Sequence, residues 1–196
     1  MCIRDSVGTV RLDELQEQMG DRINVTWKSY LLRAEPKTGD QEKFVEYTKS
    51  WIRPGEMEPK AKFTVWASEE SQPNSSIPAQ VAFKTVEAIR PDRAKAFHDR
   101  LMSAYFTENR NIADSDVLIE LAVDVGVDRE ELVSEGESRR QELTQQVIDE
   151  HNNAVSNSVT GIPTVLFENQ MPVPGAQPLE TYVRLIERIE EHLAST

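Results

Sequence analysis

The last quarter of the chain constrains the fold most. Ile162-Pro163 leads into a short apolar run, Thr164-Val165-Leu166-Phe167, with the β-branched and aromatic character of a strand. Glu168-Asn169-Gln170 reads as a turn, and Met171-Pro172-Val173-Pro174 as the returning strand. Proline has no N–H to give to a ladder, so that returning strand belongs at a sheet edge. Beyond Pro178, Tyr182, Leu185, Ile186, Ile189 and Leu193 recur at helical spacing. They predict an amphipathic helix with a proline near its first turn.

Upstream, the pattern is a helix, then a strand, then a helical block. Val7, Val10, Leu12, Leu15 and Met19 predict a helix that Gly20-Asp21 stops. In residues 22–32, Ile23, Val25, Trp27, Ser29 and Leu31 alternate with Asn24, Thr26, Lys28 and Tyr30, and this period of two predicts a strand. A helix is expected from Asp40 to Ile52, ended by Pro54-Gly55. A polar loop follows to about Ser75, interrupted by Phe63-Thr64-Val65-Trp66. Apolar stripes then mark helices around Ala79–Ile89, Ala94–Tyr105 and Val117–Val125. Asp114 has the place of an N-cap, and Asp128 with Glu131 the spacing of a capping box. A polar helix with a thin stripe of Leu143, Val147, His151 and Ala154 is expected over 137–157. No segment repeats, which excludes a solenoid.

Charge and cysteine content narrow the function. The net charge is −12 with no basic stripe, which argues against nucleic acid or an anionic membrane as the main partner. No apolar run reaches bilayer length and Met1–Ser6 has no signal-peptide h-region, so the expected location is the cytoplasm. Cys2 is the sole cysteine, so no internal disulfide and no cysteine-based zinc site can form. His98, His151 and His192 lack ligand spacing, and no metal site is expected. Trp51, Phe63 and Trp66 could line a groove, but burial is the expected role of such side chains.

Several motifs, taken in order, resemble one family. Thr160-Gly161-Ile162-Pro163-Thr164 resembles the cis-proline loop of thioredoxin-like proteins. Gly175-Ala176-Gln177-Pro178-Leu179-Glu180 resembles the start of the last helix in DsbA-family proteins of the FrnE kind. Pro73-Asn74-Ser75, Met102–Glu108 and Ile112-Ala113-Asp114 resemble that family's helical insertion. The resemblance implies an α/β, thioredoxin-like fold with a helical insertion domain. Residues 1–62 and 156–196 would form the thioredoxin-like part and 63–155 the insertion. On the tripeptide alone Pro163 would be an ordinary trans proline; with the hairpin and helix behind it, a cis bond is expected. Gly161, Ile162, Pro163 and Thr164 would then hold an extended substrate by strand pairing.

The family places Cys-x-x-Cys at the start of its first helix, where the helix end favours a thiolate. Here Cys2 aligns with the first cysteine and Asp5 with the second. Asp5 carries no sulfur and cannot resolve a mixed disulfide; its expected role is a helix N-cap. Cys2 is the candidate catalytic thiol, with a chance cysteine in a terminus as the plainer alternative. The family's first β-strand is expected to be missing, with residues 1–6 standing in for the natural beginning.

Three functions follow. One is a thiol–disulfide oxidoreductase of the DsbA/FrnE type acting on a protein or small thiol/disulfide substrate, with no cofactor. Another is a glutathione-dependent isomerase or transferase like 2-hydroxychromene-2-carboxylate isomerase and its kappa-class relatives, with glutathione bound. The last is an inactive scaffold. Oligomeric state is left open.

Overall fold

The computed structural model describes residues 3–168 and 171–195. The chain folds into two compact units: Lys28–Ala154, and the residues up to Trp27 together with those from Val155 on. Residues 28–62, expected with the thioredoxin-like part, fall in the first of these units.

The unit Lys28–Ala154 is helical: α2 Gln41–Thr48, α3 Ile52–Met57, α4 Ile77–Ile89, α5 Ala94–Phe106, α6 Ser115–Asp124, α7 Arg129–Ser138 and most of α8 Arg140–Ser156. The predicted caps are formed. Asp114 accepts from the N–H groups of Asp116 and Val117, and Asp128 from that of Glu131. α4 packs against α5 and α7, and α6 against both of those helices. Val86, Phe97, Ala104, Leu121, Ala122, Leu143 and Val147 are almost fully buried in the core. Trp51 and Trp66 are each 1% exposed, which settles their role as packing rather than groove lining. They meet Phe44, Tyr105 and Phe106 edge to face at centroid separations of 5.1–6.1 Å.

Three local expectations are corrected. Pro54-Gly55 does not end a helix; Pro54 is the third residue of α3, where a backbone N–H has no partner within the helix anyway. The single helix over 137–157 is two, because Arg139 leaves helical geometry at φ −111°, ψ 14° between α7 and α8. Residues 23–31 are extended, and the alternating burial is present, but they form no ladder. The reason is visible at Ser29 and Leu31. Their N–H groups donate to Glu150 Oε2 (2.7 Å) and His151 Nδ1 (3.3 Å) on α8, not to another strand.

The other unit holds α1 Ile3–Met19, a 3-10 turn Gly20–Arg22, the strands β1 Thr164–Phe167 and β2 Met171–Pro174, and α9 Leu179–Ala194. α1 packs on α9, with Leu12, Leu15 and Met19 against Tyr182 and Ile186. Ile23, Val25, Trp27, Val165, Phe167 and Val173 close over this core while remaining partly exposed. Arg22 and Glu190 pair across the far end of the two helices. The predicted buried face of α9 is only partly buried: Tyr182 and Ile186 are covered, whereas Leu193 is 64% exposed.

β1 and β2 run antiparallel with Thr164 opposite Pro174, Val165 opposite Val173, Leu166 opposite Pro172 and Phe167 opposite Met171. They form the one sheet among the described residues. No described helix is long and apolar enough to cross a membrane.

Candidate functional site

The candidate loop lies where β1 begins. Gly161, Ile162, Pro163 and Thr164 are all partly exposed, and the Ile162–Pro163 peptide is cis. Thr164 Oγ1 donates to the Gly161 carbonyl at 2.7 Å and closes the loop on itself. Pro172 and Pro174 cannot donate, so their partners Leu166 and Thr164 sit in the non-hydrogen-bonded pairs of the hairpin. The N–H and C=O of Thr164 and Leu166 therefore point to the edge that β2 does not occupy.

Two elements hold the loop from behind. The first is α1. A β-carbon placed on Gly8 would stand 3.3 Å from Pro163 Cβ and 3.4 Å from its Cγ, so the proline ring rests on the helix backbone itself. Gly8→Ala gains roughly 1 kcal/mol of helix propensity, which this contact offsets. Gly8→Val, branched at the crowded atom, is expected to cost about 1–3 kcal/mol in urea unfolding. An unchanged midpoint for Gly8→Val would show that Pro163 yields freely.

The second element is the turn after β2. Gly175, at φ +77°, donates its N–H to the Pro163 carbonyl at 2.8 Å. A positive φ of this kind is cheap only for glycine. The carbonyls of this turn are taken one after another by side chains. Gln177 Nε2 donates to Pro174 O (2.6 Å), the Tyr182 hydroxyl to Gly175 O (3.3 Å), and Arg11 Nη1 to Ala176 O (2.5 Å). The Gln177 N–H donates in turn to the Tyr182 hydroxyl at 3.1 Å. Burial pushes that hydroxyl above its usual range, against the Gln177 hydrogen bond and the Arg11 charge, so it stays protonated and able to donate.

Of the residues singled out in the sequence, Gly161, Ile162, Pro163 and Thr164 come together. Cys2 lies outside the described residues. Asp5 is not an N-cap: α1 already begins at Ile3, so Asp5 is its third residue, where a carboxylate is still favoured by the helix dipole. Its backbone carbonyl accepts from Thr9 Oγ1 at 3.0 Å. No group of three or more His, Cys, Asp or Glu side chains suited to a metal ion occurs among the described residues.

Sequence reasoning did not pick out Gly8 or Arg11, and it took Tyr182 only for packing. For Gly8 and Tyr182 a signal was there. A glycine inside a helix costs propensity without local benefit, and a tyrosine in an apolar stripe needs a partner for its hydroxyl.

Comparison with known proteins bears on the family and the fold. A family model described as the DSBA-like thioredoxin domain matches residues 6–187. The ClpXP adapter protein SpxH of Bacillus subtilis (strain 168) is 24% identical over 126 residues, covering 62% of this chain and 42% of that protein. The chain thus spans less than half the length of the curated relatives it matches. Among solved structures, the probable DsbA oxidoreductase SCO1869 from Streptomyces coelicolor superposes with TM-score 0.75 at 19% identity, over 95% of this chain and 85% of that one. The cytosolic disulfide reductase DsbM from Pseudomonas aeruginosa with GSH gives TM-score 0.74 at 16% identity, over 96% and 95%.

Proposed function

The chain belongs to the DSBA-like thioredoxin domain family, whose fold is thioredoxin-like with a helical insertion and whose chemistry is thiol–disulfide exchange, and from that premise we propose that Gly161–Thr164 holds an extended polypeptide for attack by Cys2. The observation that carries this reading is the seat of Pro163 on Gly8, in the second turn of α1. It brings the loop just ahead of β1 against the helix whose leading end the family uses for its thiol.

The chemistry fits one sulfur. The Cys2 thiolate attacks a substrate disulfide; one S–S bond breaks, a mixed disulfide forms, and the second substrate sulfur leaves as a thiolate. Asp5 has no sulfur for the resolving step. An external thiol such as glutathione attacks the Cys2 sulfur of the mixed disulfide instead, so that bond breaks and the substrate leaves as a thiol. A second glutathione then attacks the Cys2–glutathione bond, releasing reduced Cys2 and glutathione disulfide. A reducing compartment such as the cytoplasm supplies that thiol, and DsbM was solved with glutathione. The Gly175–Glu180 stretch supports the FrnE type of specificity over the glutathione-dependent isomerase type.

The test is to mix the chain with a peptide whose cysteine carries a thionitrobenzoate mixed disulfide. The expected result is a peptide adduct on Cys2 by mass spectrometry, no adduct for Cys2→Ser, and altered amide resonances at Gly161, Ile162 and Thr164. An adduct that leaves those resonances untouched overturns the loop's role. Glutathione binding with no peptide adduct favours the isomerase-type reading.

A further inference from the structure

Every carbonyl of the turn from Pro174 to Ala176 is taken by a side-chain donor, and the turn passes that order to one place, the Pro163 carbonyl held by the Gly175 N–H. We infer that Tyr182 and Arg11 are positioning residues, which fix the Gly161–Thr164 loop for an extended polypeptide by clamping the turn behind it. The inference rests on the reading of that loop as the substrate-holding edge.

Three observations favour this over a purely packing role. The buried Tyr182 ring alone fills its place between α1 and α9, a task a phenylalanine would perform equally. Its hydroxyl, in contrast, makes two hydrogen bonds to the turn: it accepts from Gln177 N and donates to Gly175 O. Arg11, from α1, reaches the carbonyl between those two residues. The turn is therefore tied to both helices by polar groups directed at its backbone, and Gly175 lies one hydrogen bond from Pro163. Freeing the turn lets the Pro163 carbonyl and the start of β1 shift. The backbone of Ile162, just ahead of Pro163, then loses its fixed position for an incoming chain, with the ring packing intact.

The probe is a fluorescein-labelled insulin B chain with its cysteines carboxymethylated, which can bind but cannot exchange disulfides, so the result is independent of Cys2. Tyr182→Phe and Arg11→Gln are each expected to weaken its binding by about tenfold in fluorescence polarisation and to move the amide resonances of Ile162 and Thr164. Ile186→Val, which trims the same buried face of α9 away from the turn, is expected to lower the urea midpoint while leaving probe affinity unchanged. Arg11 is only half-buried, so Arg11→Gln still reports if Tyr182→Phe fails to fold. Equal affinity in natural chain, Tyr182→Phe and Arg11→Gln overturns the inference and leaves the loop's role intact. If the natural chain binds no probe, the loop reading fails by itself. The resonances then decide the clamp: shifts at Ile162 and Thr164 support it, and unmoved resonances overturn it.

Discussion

Asp5→Cys is expected to raise the insulin-reduction rate on the order of a hundredfold or more over the natural chain. On the proposed mechanism, the natural chain stops at the mixed disulfide until an external thiol arrives. A sulfur at position 5, three residues along the chain from Cys2, replaces that encounter with an intramolecular attack. Asp5→Asn is the control: it removes the carboxylate but supplies no sulfur, so turnover is expected to stay limited by external thiol. The decisive observation is a pair of measurements on Asp5→Cys: free thiols by Ellman titration, and turnover. A readily formed internal disulfide with turnover no faster than the natural chain would show that the helix start and the loop do not form one site.

What could be read from the sequence was whatever is decided locally. Asp114 and Asp128 cap their helices because a cap needs only its own next three residues. The hairpin was legible because Pro172 and Pro174 allow only one edge arrangement. The α9 helix was legible from its stripe, though not how much of it is covered: Leu193 has the right spacing and still faces solvent. Residues 23–31 show where local reading stops. Their alternation correctly predicts which side chains turn inward, but a strand also needs a neighbour, and at Ser29 and Leu31 the neighbours are Glu150 and His151, more than a hundred residues away. The loop Gly161–Thr164 was recognisable by resemblance. The clamp behind it was not, because Arg11 and Ala176 meet across most of the chain and nothing in either neighbourhood announces the contact.

The same long-range logic makes Glu150 a residue on which the helical unit depends heavily. Lys84 is 2% exposed and donates to Glu150 at 2.9 Å and to Glu87 at 2.8 Å, while Lys28 reaches Glu150 at 3.2 Å. Glu150 thus ties α4, α8 and the extended segment at Ser29 into one buried polar knot. A buried charge that loses its partner is far costlier than a pair removed together. Glu150→Gln leaves Lys84 with the more exposed Glu87 and is expected to cost about 3–5 kcal/mol in urea unfolding at neutral pH. That is a large part of a typical domain's total stability. Adding Lys84→Met to Glu150→Gln is expected to recover a substantial share, because the buried, under-compensated cation goes with its hydration cost. The pH dependence has a definite sign. Burial works to raise the Glu150 carboxyl, but the hydrogen bonds from Lys84 and the Ser29 N–H, with the charges of Lys84 and Lys28, outweigh it and hold it below the ordinary 4.5. The folded chain thus takes up this proton less readily than the unfolded one, so the contribution is complete above pH 4.5 and lost as pH falls through the folded value. Natural chain and Glu150→Gln should therefore differ most at neutral pH and converge on acidification. Equal urea midpoints at pH 7, or a gap that widens in acid, would show that the knot contributes nothing to folding.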